Sequence, residues 1–316
     1  MPQTLPSTAT PRATALHGIS VLERGWLSSN NVVLHGAGAG AVLVDSSHAL
    51  HGAQTVALLH RTLGDEPLLE LVNTHLHSDH CGGNAAVQRA RGCRITVPPG
   101  EFEAARAWDE DALSYLATGQ ICERFVPDGV LHPGQTLAVG GRSWQVLAAP
   151  GHDPHSIMLF DAGHGVLISA DALWENGFGI VFPELDGAQA FDVVARVLDL
   201  IESLGVRWVI PGHGAPFEDV AGALQRARLR LASYVSDPAR HARHAARVMV
   251  KYHLLEQQRQ SWPDFERWFV SAPLCNAIWQ RLARPDGTLA AFGQRTVQDL
   301  VAGRALAVRD GLILNV

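Results

Sequence analysis

No stretch of this chain approaches the roughly 18–20 consecutive apolar residues that a membrane-spanning helix needs. The sequence therefore predicts a protein without a membrane span. Cysteine is scarce: 316 residues contain Cys81, Cys93, Cys122 and Cys275, with no CxxC pair among them. That number cannot build a dense disulfide framework, and free thiols in a reducing cytoplasm are the expectation. Cys81 directly follows His80 and reads as a small buried cysteine rather than a ligand. Positive charge is also in short supply, with 25 Lys+Arg against 31 Asp+Glu and a net charge of −6. Such a balance does not favour a polyanionic partner. Only residues 241–316 run the other way, with 10 basic and 6 acidic residues, or +4. Residues 1–15 are rich in Thr, Pro and Ala and lack a basic start followed by an apolar stretch. They predict a disordered tail rather than a secretory leader, and with the thiols a cytoplasmic location.

What is present is an α/β pattern in two parts. The first part alternates short apolar runs with turn residues. It predicts strands at 19–22, 32–34, 41–44, 68–73, 94–97, 143–148, 157–160, 166–169 and 206–210. Helical spacing falls at 54–63, 84–91, within 101–117, and most clearly at 188–204. There Val193, Val194, Val197, Leu198 and Ile201 share one side. After about residue 215 long helical patterns take over, at 220–235, 239–257, 265–270 and 296–302. Arg309-Asp310-Gly311 then marks a hairpin turn. The predicted division is a tail at 1–15, a catalytic unit at 16–235 and a helical, winged-helix-like unit at 236–316. Trp262, Phe265, Trp268 and Phe269 form either the core of that last unit or a face for a homodimer.

The chemistry is concentrated in His75-Leu76-His77-Ser78-Asp79-His80, three histidines and an aspartate within six residues at the end of a strand. Strand side chains alternate, so positions i and i+2 at such an end project the same way. Neutral imidazole and carboxylate are the usual ligands of divalent zinc. Three more apolar runs end in a candidate ligand: 146–149 before Pro150-Gly151-His152, 166–170 before Asp171, and 208–210 before Pro211-Gly212-His213-Gly214. Seven candidate ligands thus stand at the ends of four predicted strands.

Over roughly residues 16–235 this order and spacing resemble the metallo-β-lactamase superfamily. The resemblance implies a four-layer αββα sandwich with a C-terminal helical extension, and a binuclear metal site at one sheet edge. Carried over residue by residue, it implies that His75, His77 and His152 hold one metal ion. Asp79, His80 and His213 hold a second, and Asp171 bridges them. Two such cations, zinc by expectation with iron or manganese as alternatives, would deliver a metal-bound hydroxide to an electrophilic carbonyl or phosphorus. Asp79 is then also a candidate for orienting the nucleophile or moving a proton. Thr74 and Ser78 are candidates for steadying the ligand loop. Relatives often carry Thr-Pro-Gly after the Pro-Gly-His histidine. Here the residues are Asp153-Pro154-His155, and His155 becomes a candidate proton donor to the leaving group, with a loop-packing role as the alternative. Trp174, Phe178 and Phe182 follow Asp171 and either line an apolar substrate pocket or seal the core.

The leading functional expectation is hydrolysis of a small acyl substrate, a thioester, ester or lactone. The alternatives are a phosphodiesterase or endoribonuclease, resting on the basic C-terminal part and on Arg243, Arg247 and Lys251; an iron-dependent oxygenase; and a non-catalytic metal-binding module. The second motif position is His77 rather than the Glu usual in diiron electron-transfer members, which counts against that branch. His17, His35, His48, His51, His60, His132 and His164 are scattered and read as surface residues. His241 and His244, at i and i+3 on a helix, read as solvated.

Overall fold

The computed structural model describes residues 15–316. Residues 1–14 of the expected tail lie outside the described residues. Ala15 belongs to the body, since its carbonyl accepts a hydrogen bond from the Arg142 guanidinium. Strands β1 (Ile19–Leu22), β2 (Asn31–Leu34), β3 (Ala41–Val44), β4 (Leu68–Val72), β5 (Arg94–Val97) and β6 (Gly129–Val130) form one sheet in chain order. The second sheet has the order β11-β10-β9-β8-β7, from β7 (Thr136–Val139), β8 (Arg142–Ala148), β9 (Ile157–Asp161), β10 (Val166–Ala170) and β11 (Trp208–Pro211). Pairing is parallel where a helix crosses over, as between β3 and β4 or β10 and β11, and antiparallel between chain neighbours such as β8 and β9.

The period-two alternation of these strands assigns each face. Val32, Leu34, Val42 and Val44 point inward and meet Trp144, Val146, Ile157, Leu159, Val166 and Ile168 of the other sheet. The intervening Val33 and Leu43 point outward, where α1 (Gly52–Leu63) covers them with Leu59 and Leu63, and α3 (Asn84–Arg91) adds Ala85 and Val87. Met158, Phe160, Leu167 and Val209 point out from the second sheet. They are covered by Val194, Val197, Leu198 and Ile201 of α7 (Phe191–Ser203) and by Leu224, Ala227 and Leu231 of α8 (Val220–Ser236). Each such aliphatic side chain contributes about 1.5–3 kcal/mol relative to exposure. The layers run helix, sheet, sheet, helix, which is the αββα sandwich. Short helices α2 (Ser78–Cys81), α4 (Phe102–Ala107), α5 (Tyr115–Thr118) and α6 (Phe182–Leu185) fill the loops.

The last part contains α9 (Pro238–Gln257), β12 (Arg259–Ser261), α10 (Trp262–Ser271), α11 (Pro273–Arg281), α12 (Leu289–Ala302), β13 (Leu306–Arg309) and β14 (Leu312–Asn315), with a small antiparallel sheet ordered β12-β14-β13. Two of its helices, α10 and α12, start at a side-chain cap. Ser261 accepts the Asp264 N–H with Pro263 in the first turn, and Thr288 accepts the Ala291 N–H. Phe265 and Phe269 are buried in this part's own core, with Trp262 and Trp268 packed against them. The aromatic cluster therefore resolves to core rather than to an open face. That same core takes in Ile180 and Leu185 from the loop after β10, so the two parts are packed together.

Two histidine expectations are corrected. His241 is buried, with its Nε2 accepting the Val181 N–H at 3.1 Å and its ring edge-on to Phe191. His244 is half-buried and stacks on Tyr234. Both sit on the side of α9 that is covered by α8 and by the loop after β10, so the helix has no free face there. His48 is also buried, its ring edge-on to Tyr252 at 6.0 Å.

Candidate metal centre

Four strand ends converge at one edge of the sandwich. After β4, Asn73 and Thr74 lead into His75 and His77, and α2 carries Asp79 and His80. The end of β8 leads to His152, the end of β10 to Asp171, and the end of β11 to His213. Ala170 takes a φ of +47° at the end of its strand, a left-handed conformation uncommon for alanine, and this turns Asp171 toward the cluster. At the fourth end the turn residue must be Gly212. A Cβ built there would lie 2.2 Å from Asp171 Oδ1 and 3.0 Å from His80 Cε1.

All seven expected ligands are brought together. His75, His77 and His152 form one group of mutually close ligand atoms, His75, His80 and Asp171 a second, and Asp79, His80 and His213 a third. His77 Nδ1 lies 2.8 Å from His152 Nε2 and 3.1 Å from His75 Nε2. Asp171 spans the groups, with Oδ1 3.4 Å from His80 Nε2 and Oδ2 3.3 Å from His152 Nε2. Asp79 Oδ2 is 3.1 Å from His213 Nε2.

The outer partners fix which nitrogens face inward. The Ile180 carbonyl only accepts, so His152 Nδ1 donates to it at 2.6 Å and leaves Nε2 as a lone pair toward the cluster. The Asp45 carboxylate likewise takes the Nδ1–H of His80 at 2.8 Å. That leaves His80 Nε2 buried and without a hydrogen bond among the described residues. Asp45 also accepts the Thr74 N–H and hydroxyl, both at 2.8 Å. Ser78 Oγ donates to Gln120 Oε1 at 2.8 Å and meets the Tyr252 hydroxyl at 2.9 Å. Thr74 and Ser78 thus steady the loop as expected from their hydroxyls.

Imidazole nitrogens 2.8–3.1 Å apart, beside two carboxylates, need a shared proton or a cation between them. Burial, and then the imidazoles of His80, His77 and His152, holds His75 well below the usual histidine range. His77 is pushed down to about 4, by burial first and His152 next. Burial opposes ionisation of Asp79 and Asp171, yet His80 and His213 hold both carboxyls below the ordinary carboxylate range. His80 goes the other way. Burial pulls it down, but Asp171, Asp45 and Asp79 raise it well above its ordinary value. Three carboxylates around one buried imidazole mark a place that demands positive charge, and the donor set of nitrogen and carboxylate oxygen suits a divalent metal.

The cluster forms the floor of a cavity of about 770 Å³. Trp174, Phe178 and Phe182 all line it. Phe182 meets the His77 ring edge at 5.0 Å, and Trp174 Nε1 donates to Asp171 Oδ1 at 3.2 Å. His155 is different. Its N–H donates to Asp153 Oδ1 at 2.7 Å, its ring lies against Gly100, its side chain is exposed, and it does not line the cavity. The Asp153 turn points it outward, against the loop before α4. Cys81 is buried against the Leu76 carbonyl and the Tyr115 hydroxyl and is not among the clustered ligands.

Several residues around the cluster escaped the sequence reading. Trp26 stacks on the His213 ring at 5.4 Å, Tyr252 reaches Ser78 from α9, and Asp45 braces His80. Asp45 had a signal, because it ends an apolar strand as the other carboxylates do. Arg243, Arg247 and Lys251 do not form one solvated stripe. Arg243 pairs with Asp237 outside, while Arg247 and Lys251 line the cavity.

The chain belongs to the metallo-beta-lactamase superfamily, whose family model matches residues 24–213. It is 28% identical over 162 residues to an acyl-coenzyme A thioesterase of Gallus gallus, covering 48% of this chain and 57% of that protein. It is 29% identical over 214 residues to a hydroxyacylglutathione hydrolase of Anaeromyxobacter dehalogenans, covering 65% and 72%. The chain spans little more than half the length of the first of these relatives. A solved metallo-beta-lactamase family protein from Thermus thermophilus shares the fold over 95% of this chain and 99% of its own, with a TM-score of 0.56 and 22% identity.

Proposed function

We propose that this protein is a binuclear metal-dependent hydrolase that cleaves thioesters of small apolar acyl groups. The observation that carries the reading is a cluster of seven convergent His and Asp side chains, five of them in the floor of a cavity walled by Phe178, Ile180, Phe182, Val248, Met249 and Leu255. The relatives add support, since both are named for hydrolysis of acyl derivatives, one of coenzyme A and one of glutathione. His75, His77 and His152 would hold one ion and Asp79, His80 and His213 the other, with the Asp171 carboxylate within reach of both sets. When bound, the two divalent ions supply Lewis acidity and a water-derived nucleophile near neutral pH. Zinc is the proposed metal, and the same donors accept iron or manganese.

The chain's own residues do the rest. Phe182 and Trp174 exclude bulk water beside the ligands and receive the acyl group. Asp79, held by His213, presents a carboxylate to orient the attacking water and to take its proton. Tyr252 and Gln120 fix Ser78, and through it the register of the ligand loop. The test combines metal analysis with a panel of octanoyl thioester, ester, lactone and phosphodiester substrates. Thioester cleavage abolished by a chelator and restored by zinc is expected. Phosphodiester cleavage without thioester cleavage, or turnover indifferent to chelation, overturns the proposal.

A further inference from the structure

Three basic side chains line the cavity: Arg230 of α8 and Arg247 and Lys251 of α9. The Lys251 ammonium is already saturated, donating to Ala305 O at 2.8 Å, Asn315 Oδ1 at 2.6 Å and Val316 O at 3.1 Å. The guanidinium groups of Arg230 and Arg247 have no hydrogen bond or ion pair among the described residues. Their neighbours on the same helices are otherwise disposed. Arg226 pairs with Asp219, Arg228 with Asp199 and Glu202, and Arg243 with Asp237. Three outward arginines of these helices are matched by carboxylates, the exposed Arg240 is not, and neither are the two half-buried arginines that face the cavity. Apart from Asp79 and Asp171 in the floor, the one carboxylate among the cavity-lining residues is that of the exposed Glu175, which makes no ion pair with either.

The Arg230 guanidinium has a defined seat. A Cβ added at Gly177, which has a φ of +127°, would lie 2.4 Å from Arg230 Nη1, so this guanidinium rests on bare backbone of the loop that carries Trp174. Arg247 lies on the same helix as His244, and both arginines bear on the His244 imidazole, which burial and then these two cations push down to about 4. His244 is therefore neutral near pH 7, lines the same cavity as the two arginines, and stacks on Tyr234.

We propose that Arg230 and Arg247, with His244 on the same cavity wall, form a subsite for an anionic group, a carboxylate or phosphate, carried by the thiol part of the substrate. A guanidinium presents a planar fork that matches either oxyanion, and in a half-buried wall its charge is screened less than on the surface. The ligand this cavity selects is then amphipathic, with an apolar acyl group beside Phe182 and the ligand floor, and an anion against α8 and α9. Assigning the anion to the thiol part rests on the thioester reading; the subsite itself does not.

The test reads binding rather than turnover. Metal-loaded protein is titrated calorimetrically with three thioethers that cannot be hydrolysed: S-octylglutathione, S-octyl-coenzyme A, and neutral S-octyl-N-acetylcysteamine. At least one anionic thioether is expected to bind about tenfold or more tighter than the neutral one. The preference should shrink between 50 and 200 mM salt and fall toward one in R230Q/R247Q. Preference for S-octylglutathione assigns a carboxylate, and preference for S-octyl-coenzyme A a phosphate. Equal binding of all three by the wild type overturns the subsite, as does a preference that survives in the double variant. The salt series on the wild type stands even where the double variant fails to fold. Loss of thioester hydrolysis in the substrate panel overturns the proposed activity alone.

Discussion

Asp45 offers the sharpest test of the metal centre, because it touches no candidate metal yet decides which nitrogen His80 can offer. Its carboxylate is buried and accepts three donors, the Thr74 N–H, the Thr74 hydroxyl and the His80 Nδ1–H, each at 2.8 Å. Asp45→Asn keeps the shape but replaces one acceptor oxygen with an NH₂ donor. If that group faces His80, the imidazole must accept through Nδ1 and carry its proton on Nε2, the atom that now stands without a partner toward Asp171 and Asp79. The ligand is then capped by hydrogen. Losing a partner of this kind costs about 10–100-fold in metal affinity, or about 1.4–2.7 kcal/mol. The loss should fall on one equivalent, the one held by Asp79, His80 and His213, while the ion held by His75, His77 and His152 keeps its affinity. Competitive titration with a chromophoric chelator reads both equivalents separately. Two equivalents bound with unchanged affinity by Asp45→Asn would refute the tautomer reasoning.

Three further outcomes are expected. Gly212→Ala drives a methyl to within 2.2 Å of Asp171 Oδ1, so metal content should fall together with turnover; full occupancy in elemental analysis would contradict the crowding. His155→Ala, at an exposed side chain away from the cavity, should leave kcat within about twofold, because surface substitutions outside special features act weakly. A large drop in kcat at intact metal content would return His155 to the chemistry. His241 is buried neutral and held down to about 4 against 6.5 in the unfolded chain, so the unfolded state gains its proton first as pH falls. Its share of stability is full above pH 6.5 and is lost toward pH 4, about 2 kcal/mol between pH 7.5 and 5. His241→Gln keeps an acceptor for the Val181 N–H and removes the titration. Urea midpoints should therefore change less with pH in the variant, and parallel curves would sink the argument.

The clustered side chains were legible because they follow the ends of apolar strands. A run such as Val166–Ala170 announces both its burial and the position of the next side chain, Asp171, while the αββα layers were implied by the family resemblance that these motifs carry. The Gly212 turn and the Asn84–Arg91 helix were equally local. What was missed depends on contacts between distant segments. His241 looked solvated because the sequence around it is polar and basic, and nothing local says that α8 and the Val181 backbone close over that side. Trp26 and Tyr252 reach the cavity from 187 residues before His213 and 174 residues after Ser78, separations that no pattern encodes. His155 misled in the opposite sense. Its place beside a ligand motif was visible, and the turn that faces it outward, made by Asp153 accepting its N–H, was not.

Ile180 and Leu185 belong by chain position to the sandwich and by packing to the helical part that follows it. A truncation after residue 235 would strip the cover from both and from His241's partner, the Val181 amide. The seven ligands would remain encoded, yet the strip of backbone that anchors His152 through the Ile180 carbonyl would lose its support. The C-terminal helices thus act as a splint for one ligand of the floor, and a shortened chain would sacrifice that ligand's alignment along with the opposite wall.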